Sequence, residues 1–172
     1  MPTVTLARMR SVLLATGVSA LAVSVLGAGA APASGGCSAG TIVRTPSYVL
    51  ALSIGPSETL YTPAQVKATH PGSGEVMLVG KIVDGMAGME MGAGPRRHLA
   101  VHICTPAGKV VTGAHPAITV DGAIVPVAVM EGVDEGAADL HYGNNVNLGS
   151  NRKVTVVVTL AGQKAVFHTK LG

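Results

Sequence analysis

The segment from Asp84 to His98, "DGMAGMEMGAGPRRH", concentrates methionine in a glycine-rich stretch. Its glycines and Pro95 disfavour a helix, so Met86, Met89 and Met91 are expected in a loop. Thioether sulfur is a soft ligand that selects Cu(I), and methionines beside a histidine are typical of a copper site. Two interpretations stay open. The loop supplies metal ligands, or its methionines fold back over the open end of the domain.

Histidines form the second group of candidate ligands. His98 lies beside the methionine loop and is a candidate ligand, although a solvated residue at a strand end is an equal alternative. His102 shares a strand face with His98, but four residues at ~3.3 Å each place the two about 13 Å apart. They therefore cannot chelate one ion together, and we interpret His102 as structural or exposed.

The segment "DLHYGNNVNL", from Asp139 to Leu148, offers a further histidine, His141. The acidic stretch "MEGVDEGAAD" precedes it and contributes Met130 and several carboxylates. Together these residues predict a mixed oxygen, nitrogen and sulfur site. The alternative is a long solvated hairpin loop.

Most of the chain alternates apolar and polar residues with period two, which indicates β-strands. Short turn sequences such as "PAG" and "AGQ" separate the strands. The pattern predicts an all-β, immunoglobulin-like antiparallel sandwich of seven to nine short strands. Pro126 interrupts an apolar run and indicates an edge strand or a bulge. One short helix is expected near 62–70, where Thr62, Pro63 and Gln65 form an N-terminal capping signal. Strands are expected near 48–54, 76–82, 98–104, 109–112, 117–120, 123–129, 154–160 and 165–168.

The first thirty residues resemble an export signal, with Arg8 and Arg10 before an apolar run and small residues after it. A single-span anchor is the competing interpretation. We expect a signal peptide at 1–30, a flexible linker at 31–42 and one sandwich domain at 43–172. The mature protein would then reside in the periplasm, the cell envelope or outside the cell, with no membrane span.

Cys37 and Cys104 are the only cysteines in the sequence. Export to an oxidising compartment favours a disulfide between them. Two alternatives are a free thiol pair and lipid attachment at Cys37, although Ser34-Gly35-Gly36 lacks the branched apolar residue typical of a lipoprotein signal.

The composition argues against several classes of function. The formal net charge of +3 includes Arg8 and Arg10, and the remaining charges form no basic run, which disfavours nucleic-acid binding. The sequence contains neither a G-x-S-x-G nucleophile motif nor an H-E-x-x-H zinc motif. We therefore expect a binding protein and not an enzyme.

The runs "HYGNNV", "RKVTVVVTL" and "IVPVAV" resemble the periplasmic P19-type high-affinity iron-transport proteins, which also bind copper. The resemblance extends over 75–168 and implies an immunoglobulin-like sandwich, a homodimer and a ligand role for His141. The family's methionine ligand falls near Val127, so Met130 would substitute for it only if the longer acidic loop folds it back. The family's early His and Glu ligands fall near Met77 and Val79. Since some expected ligands are absent or exchanged for methionine, a softer copper site is favoured.

These observations predict an exported protein that binds copper, or alternatively iron, and that takes part in metal handling or transport in the cell envelope. A metal permease or another envelope protein is the partner they suggest. The alternative is a metal-free immunoglobulin-like module that binds a partner protein. The predicted metal ligands are His141, Met130, Met86, Met89, Met91, His98 and Met77.

Overall fold

The computed structural model describes residues 36–80, 96–148 and 153–171. These residues form two β-sheets arranged as a sandwich, which confirms the predicted all-β class and is consistent with an immunoglobulin-like architecture. Within the described ranges there are eleven strands, against the seven to nine expected. The elements are β1 (Thr41–Arg44), β2 (Val49–Pro56), β3 (Leu60–Tyr61), α1 (Pro63–Thr69), β4 (Glu75–Val79), β5 (Arg96–Cys104), β6 (Ala117–Val120), β7 (Ala123–Val125), β8 (Ala128–Gly132), β9 (Gly136–Asn147), β10 (Lys153–Leu160) and β11 (Gln163–Lys170).

One sheet has seven strands in the order β1-β2-β5-β9-β8-β4-β3, and the other has four in the order β11-β10-β6-β7. All neighbours pair antiparallel except β3 and β4, which are parallel. The core lies between the two sheets and is built by alternate residues of each strand, because successive side chains point to opposite faces. Its members include Leu50, Leu52, Leu99, Val101, Ile103, Tyr142, Val156, Val158 and Phe167.

The predicted helix is confirmed at Pro63–Thr69. The Thr62 hydroxyl accepts from the Gln65 N–H at 3.2 Å, and the Gln65 side-chain oxygen accepts from the Thr62 N–H at 2.7 Å. This reciprocal pair satisfies two amide donors that the first helical turn leaves unpaired. The helix ends at Thr69, and the following C-cap residue, His70, adopts the left-handed conformation with φ of 47°.

Two predicted strands differ from the structure. The expected strand at 123–129 divides at Pro126 into β7 and β8, which belong to different sheets, because proline has no N–H for a ladder and its fixed φ favours a bend. The expected strand at 109–112 is reduced to a single bridge between Val110 and Cys104.

Cys37 and Cys104 form a disulfide, so the pairing predicted from the cysteine count is confirmed and neither sulfur is a free thiol. Cys104 ends β5, and the bridge fixes the segment before β1 against that strand. Within the described residues, no helix is long and apolar enough to cross a membrane.

Candidate metal centre

The outer face of the seven-stranded sheet, opposite the core, carries a cluster of buried polar side chains. His98 and His102 lie on this face of β5, and His141 lies on the same face of neighbouring β9. The His141 ring contacts both other rings edge-on, with centroids 5.3 Å from His98 and 5.4 Å from His102. All three are buried, His141 to 1% exposure. His141 therefore stands at the centre of the cluster.

Glu75, His98 and His141 form a first group whose ligand atoms converge. The two Nε2 atoms of the histidines lie 3.1 Å apart. One Glu75 carboxylate oxygen lies 3.8 Å from His98 Nε2, and the other lies 3.6 Å from His141 Nε2. Two imidazoles and one carboxylate form a donor set used by copper, zinc and iron.

Hydrogen bonds fix which nitrogen of His98 faces Glu75 and His141. The Asn145 amide nitrogen donates to the Glu58 carbonyl at 2.7 Å, so its oxygen is the atom that faces His98 Nδ1 at 3.1 Å. An oxygen acceptor at this position requires Nδ1 to carry a hydrogen. The Nε2 lone pair of neutral His98 therefore points toward the other two ligands.

The same reasoning applies to His141. Its Nδ1 donates to the backbone carbonyl of Asp139 at 2.7 Å, which leaves Nε2 as the atom directed at His98 and Glu75. A ring N–H held by a carbonyl or carboxylate is the usual support for a histidine metal ligand. Three electron-pair donors thus face one another, and such an arrangement requires a cation or a proton between them.

The pKa directions indicate where a proton sits when no metal is bound. Burial and the nearby His141 lower the pKa of His98 to about 4, so His98 is neutral at physiological pH. Burial alone would lower the pKa of His141, but the hydrogen bond to Asp139 and the charge of Glu75 raise it. Of the two histidines, His141 is therefore the one that holds a proton more readily, on the Nε2 atom that faces His98. A metal cation would take the place of this proton.

Glu75 is the least satisfied polar group in the cluster. Glu75 is 8% exposed, and its Oε2 atom is buried with no hydrogen-bond partner. Burial is the main effect on Glu75, and together with the charges of nearby carboxylates it raises the pKa of this side chain to about 7. Buried carboxylates without partners are rare, because removing the charge from water is unfavourable.

We expect Glu75→Gln to stabilise the protein in the absence of metal. The folded-state pKa of about 7 lies above the ordinary value of 4.5, so the stability associated with protonated Glu75 is full below pH 4.5 and is lost as the pH rises to 7. At pH 8 the variant should gain about 1–3 kcal/mol in unfolding free energy, and at pH 4.5 almost nothing.

Urea denaturation of both proteins at pH 4.5, 6 and 8 measures this difference. Glu131→Gln, on the neighbouring strand β8, is the control and should show no pH-dependent gain. A gain for Glu75→Gln that is equal at all three pH values would contradict the assignment of a raised pKa to Glu75.

A second group combines His102, Asp139 and His141. Asp139 Oδ2 lies 3.4 Å from His141 Nδ1, and Asp139 Oδ1 lies 3.7 Å from His102 Nε2. Burial would raise the pKa of Asp139, but the hydrogen bond to His141 and the charges of both histidines lower it. In this group His141 presents Nδ1, which already donates to a carbonyl. The second group is therefore better suited to orient His141 than to bind an ion.

Four residues of the "HYGNN" segment have distinct structural roles. His141 faces the metal-ligand cluster, whereas Tyr142 points into the core, where its hydroxyl donates to the Val111 carbonyl at 2.8 Å. A side chain at Gly143 would collide with the backbone of Leu99 in β5, so the two strands can approach only at a glycine. Asn145 holds both His98 and the loop at Glu58.

The predicted ligands His98 and His141 are brought together. Met130 lies on β8, directly opposite His141, and not in a loop that must fold back. Met77 lies opposite Met130, and the two pack with Ala128 in a small hydrophobic cluster that accounts for their burial. Directly opposed residues have Cβ atoms roughly 4.5–5.5 Å apart, so Met130 stays a predicted ligand. Met86, Met89 and Met91 lie outside the described residues.

Glu75 was not among the predicted ligands. His102 was predicted to be structural or exposed; it is buried within the cluster, which agrees with a structural role and not with an exposed one. Asp139 was named only as one member of the acidic stretch. A signal was present in the alternation. Asp139, His141 and Asn145 are separated by two and then four positions in β9, and His98 and His102 are separated by four in β5. Polar residues that recur on one face of otherwise apolar strands indicate a buried polar site. The prediction that His98 and His102 do not share one ion is consistent with their separate groups.

No protein-family model, curated protein or solved structure matches this chain.

Proposed function

We propose that this protein is an exported metal-binding protein that handles copper, with iron as the alternative ion, in the cell envelope. The observation that carries the proposal is the convergence of His98 Nε2, His141 Nε2 and the Glu75 carboxylate, whose buried Oε2 has no hydrogen-bond partner. Two imidazoles and a carboxylate favour a divalent ion such as Cu(II). The predicted Met130 and the methionine loop would add affinity for Cu(I).

Two further observations support export and metal handling. The disulfide between Cys37 and Cys104 is typical of proteins in oxidising compartments. His141 of the "HYGNN" segment belongs to the cluster, and its role as a ligand is what the resemblance to the P19-type proteins implies. We propose a distant relationship to that family and, with it, a homodimer and a metal permease or another envelope protein as the partner.

Equilibrium competition between the protein and a chromophoric Cu(II) chelator tests the proposal. We expect one ion per chain at the cluster, with a dissociation constant below micromolar. Because the ion competes with protons at two ligands, His141 with its raised pKa and Glu75 with its pKa of about 7, the affinity should fall about tenfold or more for each pH unit below about 7. No binding tighter than micromolar at pH 7.5 would refute the proposal and would favour the metal-free envelope module.

A parallel competition with a Cu(I) chelator decides the oxidation state. If the methionine loop supplies ligands, changing Met86, Met89 and Met91 together to Leu should weaken Cu(I) binding at least tenfold and leave Cu(II) binding within about twofold. Equal Cu(I) affinity in both proteins would remove the loop from the ligand set.

A further inference from the structure

A cavity of about 420 Å³ lies above the cluster of Glu75, His98 and His141. Each of these three residues contributes to its lining. Six water molecules at about 30 Å³ each occupy roughly 180 Å³, so the cavity has room for a metal ion with its hydration shell. A small chelate such as a citrate complex would also fit, and volume alone therefore does not select what enters.

The charge of the lining is strongly one-sided. Five of the nine Asp and Glu residues in the chain line the cavity, and the described lining includes neither Lys nor Arg. The whole chain has a formal net charge of +3, so this acidity is local and does not reflect the composition. The five carboxylates belong to Glu58, Glu75, Asp134, Glu135 and Asp139.

The carboxylates are held close to the ligands. Glu58 is fixed by its backbone N–H, which donates to Asn145 at 3.1 Å, and Asn145 in turn contacts His98. Glu135 packs over Gly132 beside Asp139, since a side chain at Gly132 would collide with the Glu135 carboxylate. Glu58, Glu135 and Asp139 therefore line the same cavity as the proposed ligands.

Glu75 provides an independent indication that this cavity receives a cation. It is 8% exposed, it lines the cavity, and its Oε2 atom has no hydrogen-bond partner. The carboxylates of Glu58, Asp134, Glu135 and Asp139 line the same cavity. Neighbouring carboxylates repel one another and therefore gain most from a bound cation.

We propose that this acidic cavity admits the metal as a free hydrated cation and repels metal carried by anionic chelates such as citrate complexes. The inference rests on the proposed metal-binding function and specifies its substrate class. A cleft lined by charge of one sign concentrates ions of the opposite sign and raises their association rate by 10- to 1,000-fold, whereas it slows ions of like sign.

Stopped-flow mixing of the protein with Cu(II) tests the inference. Quenching of tyrosine fluorescence reports binding, since the chain contains three Tyr and no Trp. The cavity variant combines Asp134→Asn with Glu135→Gln, and neither residue is a proposed ligand. The matched control combines Asp121→Asn with Glu131→Gln, which changes the net charge equally at positions outside the cavity lining.

We expect the cavity variant to bind free Cu(II) about 3- to 10-fold more slowly than the wild type, and the control less than twofold more slowly. In 0.5 M KCl the difference should fall below twofold, because salt screens the field. Uptake from the anionic Cu(II)–citrate complex should become faster in the cavity variant.

Equal association rates in the two double variants would overturn the inference. It would also be overturned if the wild type took up Cu(II) from the citrate complex at the same rate as it takes up the free ion. In either case the equilibrium affinity would still support the proposed function. Absence of Cu(II) binding by the wild type at equilibrium would overturn the function and the inference together.

Discussion

Replacing His141 should abolish tight metal binding, because His141 is the residue that both ligand groups share. We expect His141→Ala to weaken Cu(II) binding at least about 100-fold, which corresponds to about 2.8 kcal/mol. Its Nε2 faces His98 and Glu75, so the variant removes the ligand and also the neighbour that orients them. Chelator competition against the wild type measures the loss.

Two controls make this result specific. His168→Ala removes an exposed histidine of β11, in the other sheet, and should leave the affinity within about twofold. His141→Gln retains side-chain volume at a position that is 1% exposed, so it separates loss of the imidazole from creation of a cavity. If His141→Gln folds with the wild-type melting temperature and binds Cu(II) as tightly as the wild type does, the cluster is not the metal site.

Removing the disulfide should have the largest effect on stability. The bridge joins residues 67 apart in sequence, and a closed loop of that size restricts the unfolded chain considerably. We expect the double variant Cys37→Ala and Cys104→Ala to lose about 2–4 kcal/mol of unfolding free energy. Urea denaturation measures the loss, and reduction of the wild type should reproduce most of it.

The disulfide lies close to the acidic cavity and to the strand that carries His102. Cys37 anchors the segment that carries Ala39, which lines the acidic cavity. Cys104 lies two residues after His102 in β5.

If the double variant denatures at the same urea concentration as the oxidised wild type, the bridge does not contribute to stability. Thiol titration of the unfolded wild type without reductant should find no free thiol.

Much of the fold could be predicted because its signals are local. Period-two alternation identified the strands that build the core, and the capping residues Thr62 and Gln65 located the helix. Pro126 was recognised as a disruption, but the change of sheet that it accompanies depends on long-range pairing. The short strands β1 and β3 carry too few residues to show a period.

The metal centre was only partly predictable, because its residues are brought together by long-range strand pairing. His98 and His141 were identified because imidazole is a common ligand, yet nothing local shows that β5 and β9 are neighbours. Glu75 reaches the cluster through the pairing of β4 with β8 and of β8 with β9, which a single sequence does not reveal. The contact between His102 and His141 could not be predicted, because the two residues are 39 positions apart in sequence.

X-ray absorption spectroscopy of the copper-loaded protein tests the central claim most directly, because it identifies the atoms bound to the metal. For Cu(II) at pH 7.5, the geometry of His98, His141 and Glu75 predicts scattering from two imidazole rings together with oxygen ligands. The same measurement on His141→Gln should show at most one imidazole. A spectrum from the wild type without imidazole scattering, or one dominated by sulfur, would contradict the account.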